Sequence, residues 1–84
     1  MTTFDSEFTF GKAIAIRGVD TVRYGLIIEI SEDRTKLAIM YLPSAERYKK
    51  YGPIRLSISV DDINNGLYTI EIFKPNMEKE VHDV

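Results

Sequence analysis

The sequence predicts a mainly β domain. Five antiparallel strands are expected to close into a small barrel or to form a strongly bent sheet, with one short helix at about 44–51 and a helical turn at 61–65. Three observations predict this. First, apolar residues recur with period two. From Val22 to Ile30 every even position is apolar: Val22, Tyr24, Leu26, Ile28 and Ile30. Over residues 54–60, Ile54, Leu56, Ile58 and Val60 alternate with Arg55, Ser57 and Ser59. Neighbouring strand residues point to opposite faces, so each run has one apolar face and one wet face. Second, clusters of Gly, Ser, Asp and Asn separate the runs, as turns require. Third, 84 residues is one domain's length. A flat five-stranded sheet of that size exposes long edges, and barrel closure removes them.

The first strand is expected over residues 12–17, with Ile14 and Ile16 on one face and Ala13 and Ala15 on the other. Phe8 and Phe10 share its even phase, which gives the strand the option of starting before Gly11. Gly18-Val19-Asp20-Thr21 turns the chain into the second strand, whose even face is expected to be the buried one. Ser31-Glu32-Asp33-Arg34-Thr35 forms the next hairpin connection. Residues 36–42 are apolar on both faces, which suits a central or covered strand. A helix follows. Ser44 is its N-cap, Gly52 takes a left-handed C-terminal position, and Pro53 prevents continuation. Lys49 and Lys50 complement the helix dipole. After the fourth strand, Asp61-Asp62-Ile63-Asn64-Asn65-Gly66 reads as a helical turn with Ile63 tucked inward. The fifth strand, over residues 67–73, carries Tyr68, Ile70 and Ile72 in one phase and Thr69 and Glu71 in the other. Periodicity then stops. The domain is expected to span residues 1–75, with 76–84 a flexible acidic tail. Beginning at Met1 with no second domain visible, the chain is expected to stand alone.

Hydrophobic residues make up 44% and charged residues 29% of the chain, a globular and not a disordered composition. With no cysteine, disulfides, thiolate metal sites and cysteine nucleophiles are excluded. The acidic N-terminus lacks the basic and apolar segments of a signal peptide. No apolar run approaches the roughly 20 residues of a membrane span. The expectation is a cytoplasmic protein with no membrane partner. The net charge of −2 averages two different parts. Residues 1–7 carry −2 and residues 76–84 carry −2, whereas 8–75 hold ten basic and eight acidic side chains. The body is mildly basic, and the acidic ends are expected to mask its basic segment, less so in salt.

Gly11-Lys12-Ala13-Ile14-Ala15-Ile16-Arg17-Gly18, followed by Tyr24-Gly25-Leu26-Ile27-Ile28-Glu29-Ile30, resembles the opening hairpin of KOW-type SH3-like barrels. Val60-Asp61-Asp62-Ile63 resembles the short 3₁₀ turn that such barrels place before their last strand. The likeness covers residues 10–73 and rests on alternation and glycines. The segment after Gly18 departs from the KOW pattern, with no further glycine before Gly25. The resemblance implies a small β-barrel module of the kind linked to transcription and ribosomes. An α+β roll with the helix on an open sheet is the main competing architecture.

No residue pattern points to catalysis. His82, the one histidine, falls in the expected tail, where nothing holds it against a substrate proton. Glu32-Asp33 and Asp61-Asp62 lack the spaced oxygen ligands of a calcium loop, and turn formation and helix capping explain both. No phosphate loop, dinucleotide fingerprint, nucleophile elbow or zinc-spaced histidine set is present. No catalytic, cofactor or metal residue is therefore assigned.

The informative segment is Arg47-Tyr48-Lys49-Lys50-Tyr51, with Arg55 nearby. Charge interleaved with rings suits single-stranded nucleic acid, phosphates meeting the charge and bases the rings. In a short helix, however, Tyr48 and Tyr51 share a face. The first expectation is that they cover a barrel end while the lysines stay wet. A protein-binding surface and nucleic-acid contact are the alternatives. The wet face of the second and fourth strands is a second candidate: Arg23, Ile27, Glu29, Arg55, Ser57 and Ser59. Ile27 is the apolar residue out of place there. Two readings stand side by side. With Met40 and Leu42 it forms an exposed apolar patch, an association site, or the helix or residues 4–10 cover it. The functional expectation is a non-enzymatic module that binds a protein partner, a homodimer through the Ile27/Met40 face being one specific form. In size and style the chain is similar to accessory or inhibitory proteins of phages and mobile elements. The alternative is a nucleic-acid-binding module using residues 47–55.

Overall fold

A computed structural model describes residues 1–73. The acidic tail and His82 lie outside the described residues. Seven elements follow in order: β1 (Ala13–Arg17), β2 (Val22–Ile30), β3 (Lys36–Tyr41), α1 (Ala45–Tyr51), β4 (Ile54–Ser59), α2 (Val60–Asn64) and β5 (Thr69–Ile72). The strands form one antiparallel sheet in the order β4-β3-β2-β1-β5. Strands β1 to β4 make a meander, and β5 returns beside β1. Of the two forms expected, the closed barrel is not made, because β4 and β5 are the two edges of an open sheet. Phe4, Phe8, Val60 and Ile63 pack over the inner face, covering the apolar surface that strand closure would otherwise bury.

The core sits on that inner face. Ile14, Ile16, Ile27, Leu37, Ile39 and Ile58 are buried with Phe4, Phe8 and Val60, and Ile70 and Ile72 pack against them. From Val22 to Ile27 the phase of β2 is the reverse of the expected one, and beyond the bulge Ile30 faces the core as expected. Leu26 is 51% exposed and Ile27 is 0% exposed. Ile27 pairs with Ile39 and Glu29 pairs with Ala38, so a β-bulge at Ile28 inserts one residue. A bulge shifts the side-chain phase by one position and bends its strand. Ile27 and Ile30 therefore both face the core, although their spacing is odd. Gly25 belongs to the same inner phase. A Cβ there would lie 2.9 Å from Ile39 Cδ1 and 2.9 Å from the Met40 carbonyl oxygen, so only glycine lets Ile39 pack as it does.

The N-terminal segment is not an extension of β1. A turn closes as the Phe8 amide donates to the Asp5 carbonyl, 3.0 Å. It sets the Phe4 and Phe8 rings edge to face, 6.1 Å apart, on the core. Arg34 holds it down. Its Nε donates to the Phe4 carbonyl at 3.0 Å, and its Nη2 donates to the Phe8 carbonyl at 2.8 Å and to the Asp5 carbonyl. The Phe4 amide donates back to the Arg34 carbonyl, 2.8 Å. Residues 31–35 brace this arginine. Ser31 Oγ accepts from the Thr35 and Lys36 amides, and the Asp33 carboxylate accepts from the Ser31 and Thr35 hydroxyls and the Thr35 amide. The Thr35 hydroxyl first, and then Ser31, hold the Asp33 carboxyl below its ordinary pKa.

The helices differ in purpose. Helix α2 has a reciprocal cap: the Ser59 side chain accepts from the Asp62 amide, and the Asp62 side chain accepts from the Ser59 amide. It buries Val60. Helix α1 buries nothing. Ser44 precedes it without a side-chain cap bond. At its end Gly52 donates to the Tyr48 carbonyl; its positive φ of 74° favours glycine, but with ψ −159° it is not the left-handed helical position expected there.

Candidate binding surface

The outer face of the sheet has no covering element among the described residues. Met40 lies between Leu26 on β2 and Arg55 on β4 in register. Tyr24 stands opposite Ala15, and the Phe73 ring meets the Tyr24 ring edge-on at 5.1 Å. Val22, Tyr24, Leu26, Met40 and Phe73 are all substantially exposed. They form an apolar strip across the middle strands. An ion pair stands on either side of it. Arg55 Nη2 donates to Glu29 Oε1 at 2.5 Å, and Arg17 Nη2 donates to Glu71 Oε1 at 2.7 Å. Both pairs are exposed, so they contribute little to stability. The hydrogen bond to Glu71 raises the Arg17 pKa further.

This geometry sorts the residues singled out from sequence. Met40 and Arg55 are neighbours on the outer face. Ile27 is not with them. It is fully buried on the inner face, covered by the segment that carries Phe4 and Phe8. An exposed Ile27/Met40 patch does not exist, because Met40 pairs with Leu26, the residue before Ile27, and alternation puts Ile27 on the opposite face. Arg23, expected on the wet face, shares the inner phase of Ile27, half-buried. Its guanidinium lies 5.5 Å from the Tyr41 ring centroid. Glu29, Ser57 and Ser59 do share a face with Arg55, Glu29 because it lies beyond the bulge. Alternation alone does not mark Val22, Tyr24, Leu26 and Phe73 as a shared surface. The run Leu26-Ile27-Ile28 carried the signal, since three successive apolar residues mark a break in alternation.

Arg47, Tyr48, Lys49, Lys50 and Tyr51 lie in α1, and every one of them is exposed. Tyr48 is 46% and Tyr51 64% exposed. The expected covering of a barrel end by these rings is not found. There is no closed end to cover, and the tyrosines bury no side chain of the core. Lys50 Nζ sits 5.4 Å from the Tyr51 ring centroid.

Where α1 leaves the sheet, a groove of about 560 Å³ opens between the start of β2, the end of β3 and the first turn of the helix. Val22, Arg23, Tyr24, Tyr41, Leu42 and Arg47 line it, and among the described residues no acidic side chain does. A second groove of about 490 Å³, at the other end of β3, is lined by both signs: Glu29 and Asp62, Lys36 and Arg55. Neither Asp5 nor Glu7 lines the first groove. The Asp5 carbonyl is held by Arg34 in the β2–β3 loop, at the far end of β3. Among the described residues no group of three or more His, Asp or Glu side chains converges on a metal-sized site. No helix among them is long and apolar enough to cross a membrane. No protein-family model matches the chain, and no curated protein or solved structure does either.

Proposed function

We propose that this chain is a small, non-enzymatic, cytoplasmic binding module that acts by protein–protein interaction through the outer face of its sheet. One observation carries the reading: the exposed strip of Tyr24, Leu26 and Met40 in the middle of the sheet, extended by Val22 and Phe73. An apolar centre with charged pairs at its margins is the layout of protein interfaces. The strip lies on central strands, which backbone pairing holds rigid, so little ordering cost opposes binding. The action is steric: occupying the face blocks or bridges a partner, as an accessory or inhibitory protein does.

The test is capture from an extract of its own cells, with and without nuclease. A nuclease-resistant protein partner is expected on the wild-type chain and on Val19→Glu, whose site is exposed in the β1–β2 turn. It is lost on Leu26→Glu. Equal capture by Leu26→Glu refutes the reading. A second copy of the chain is one candidate partner. A monomer at high concentration removes that form. Nucleic-acid contact through residues 47–55 is the second reading, favoured by the exposure of α1. It predicts affinity for oligonucleotides that falls with salt, by about −0.7 in log–log slope per phosphate, and weakens in Lys49→Glu/Lys50→Glu.

A further inference from the structure

We propose that the groove between α1 and the start of β2 takes an extended acidic segment of a protein partner, one that carries apolar or aromatic side chains between its carboxylates. The inference rests on the reading of the chain as a protein-binding module, and it adds a second surface with its own chemistry.

Three observations on the groove support this occupant. The first is charge. The chain as a whole has more acidic than basic side chains, yet among the described residues the groove is lined by Arg23 and Arg47 and by no carboxylate. An acid-free lining with two guanidiniums complements an anion, and planar guanidiniums match carboxylates with paired hydrogen bonds. The second is the apolar remainder of the lining. Val22 and Leu42, both exposed, give side chains of the partner a surface to cover. Val22 and Tyr24 are also members of the outer strip, so a partner seated on the sheet face can run into the groove without a break.

The third observation separates a peptide from a nucleic acid. Stacking platforms for single-stranded bases need free ring faces. The two rings of the groove are already engaged: Arg23 lies over the Tyr41 ring, and Tyr24 forms a T-shaped pair with Phe73. Among the described residues two cations, Arg23 and Arg47, line the groove. That count suits a pair of carboxylates better than a run of phosphates.

The experiment uses the full chain and fluorescence anisotropy. The probes are a labelled short peptide rich in Glu with two Phe residues, the same peptide with each Glu replaced by Lys, and an oligodeoxythymidine of equal formal charge. The acidic peptide is expected to bind, and the lysine peptide is not. Arg23→Gln/Arg47→Gln should weaken the acidic peptide by about tenfold or more, with an unchanged melting temperature. Leu26→Glu should leave peptide affinity within about twofold, because it alters the sheet face and not the groove. Absence of acidic-peptide binding, or equal binding by the double variant, overturns the proposal. So does tighter binding of the oligodeoxythymidine, which assigns the groove to nucleic acid. Failure here with partner capture still sensitive to Leu26→Glu removes the groove alone. Peptide binding with capture insensitive to Leu26→Glu removes the sheet-face reading alone.

Discussion

Arg34 is the residue whose replacement tests the fold most directly. Its side chain donates to the carbonyls of Phe4, Asp5 and Phe8, and those contacts seat two phenylalanines on the core. Arg34→Ala removes all three. The bonds to Phe4 and Phe8 are partly buried, and a bond from a charged donor contributes about 1.5–3 kcal/mol. Counting only those two, and allowing for shared side-chain ordering, the loss is about 3 kcal/mol with the segment still docked. If the segment detaches, Phe4 and Phe8 each forfeit a further 1.5–3 kcal/mol or so of burial. Small domains have about 5–15 kcal/mol in total, so detachment approaches global unfolding. Arg34 also sits at φ 60°, where non-glycine residues are strained by about 1–2 kcal/mol. Arg34→Gly should therefore be more stable than Arg34→Ala by about 1 kcal/mol, although both lack the guanidinium. The assay is urea unfolding followed by circular dichroism, with amide exchange at Gly11 and Ile27 reporting on the adjoining backbone. An Arg34→Ala chain within about 0.5 kcal/mol of wild type refutes the assigned role.

The remaining predictions concern the two faces and the β2–β3 loop. Leu26→Glu should change stability by less than about 0.5 kcal/mol, whereas Ile27→Glu one position away should cost more than about 4 kcal/mol or prevent folding. Similar melting temperatures for the two would mean that the bulge is misplaced. Gly25→Ala should destabilise by about 1–3 kcal/mol, because the added Cβ meets Ile39 and the Met40 carbonyl. A neutral result in the same unfolding assay would show that β3 yields there. For Asp33 the folded carboxyl titrates below its ordinary value. Its contribution is complete above the unfolded pKa and is lost as pH falls through the lower folded one. NMR titration of the Asp33 carboxyl should show Thr35→Val moving it up toward the ordinary value, since the Thr35 hydroxyl is the largest cause. An unmoved titration curve counts against that hydrogen bond.

Much of the element plan was legible in the residues. Alternation located all five strands to within two residues at either end, and Gly52-Pro53 located the end of α1. The candidate surface was less legible. Met40 and Arg55 were singled out and do adjoin, but Ile27 was put on the wrong face. The alternation in β2 offered two phases, one with five apolar residues and one with Ile27 alone among Arg23, Gly25 and Glu29. Choosing the more apolar phase for the core is sound for an unbroken strand. It fails here because one inserted residue exchanges the faces partway along the strand. The tyrosines of α1 misled for a related reason. Their spacing defines a helix face, and spacing does not say whether anything lies against that face.

The sequence by itself determined where the strands and helices lie to within two residues, since that depends on alternation, glycines, prolines and caps within a few residues of one another. It also determined that thiolate and disulfide chemistry are absent. Only the tertiary structure decided which face of β2 is inside, that the sheet stays open, and that Phe4 and Phe8 cover it under Arg34. Each of these rests on contacts between residues far apart in the chain, such as Ile27 with Ile39 and Arg34 with Phe4. Competition among such contacts for one core selects the inward face. No local pattern records its outcome.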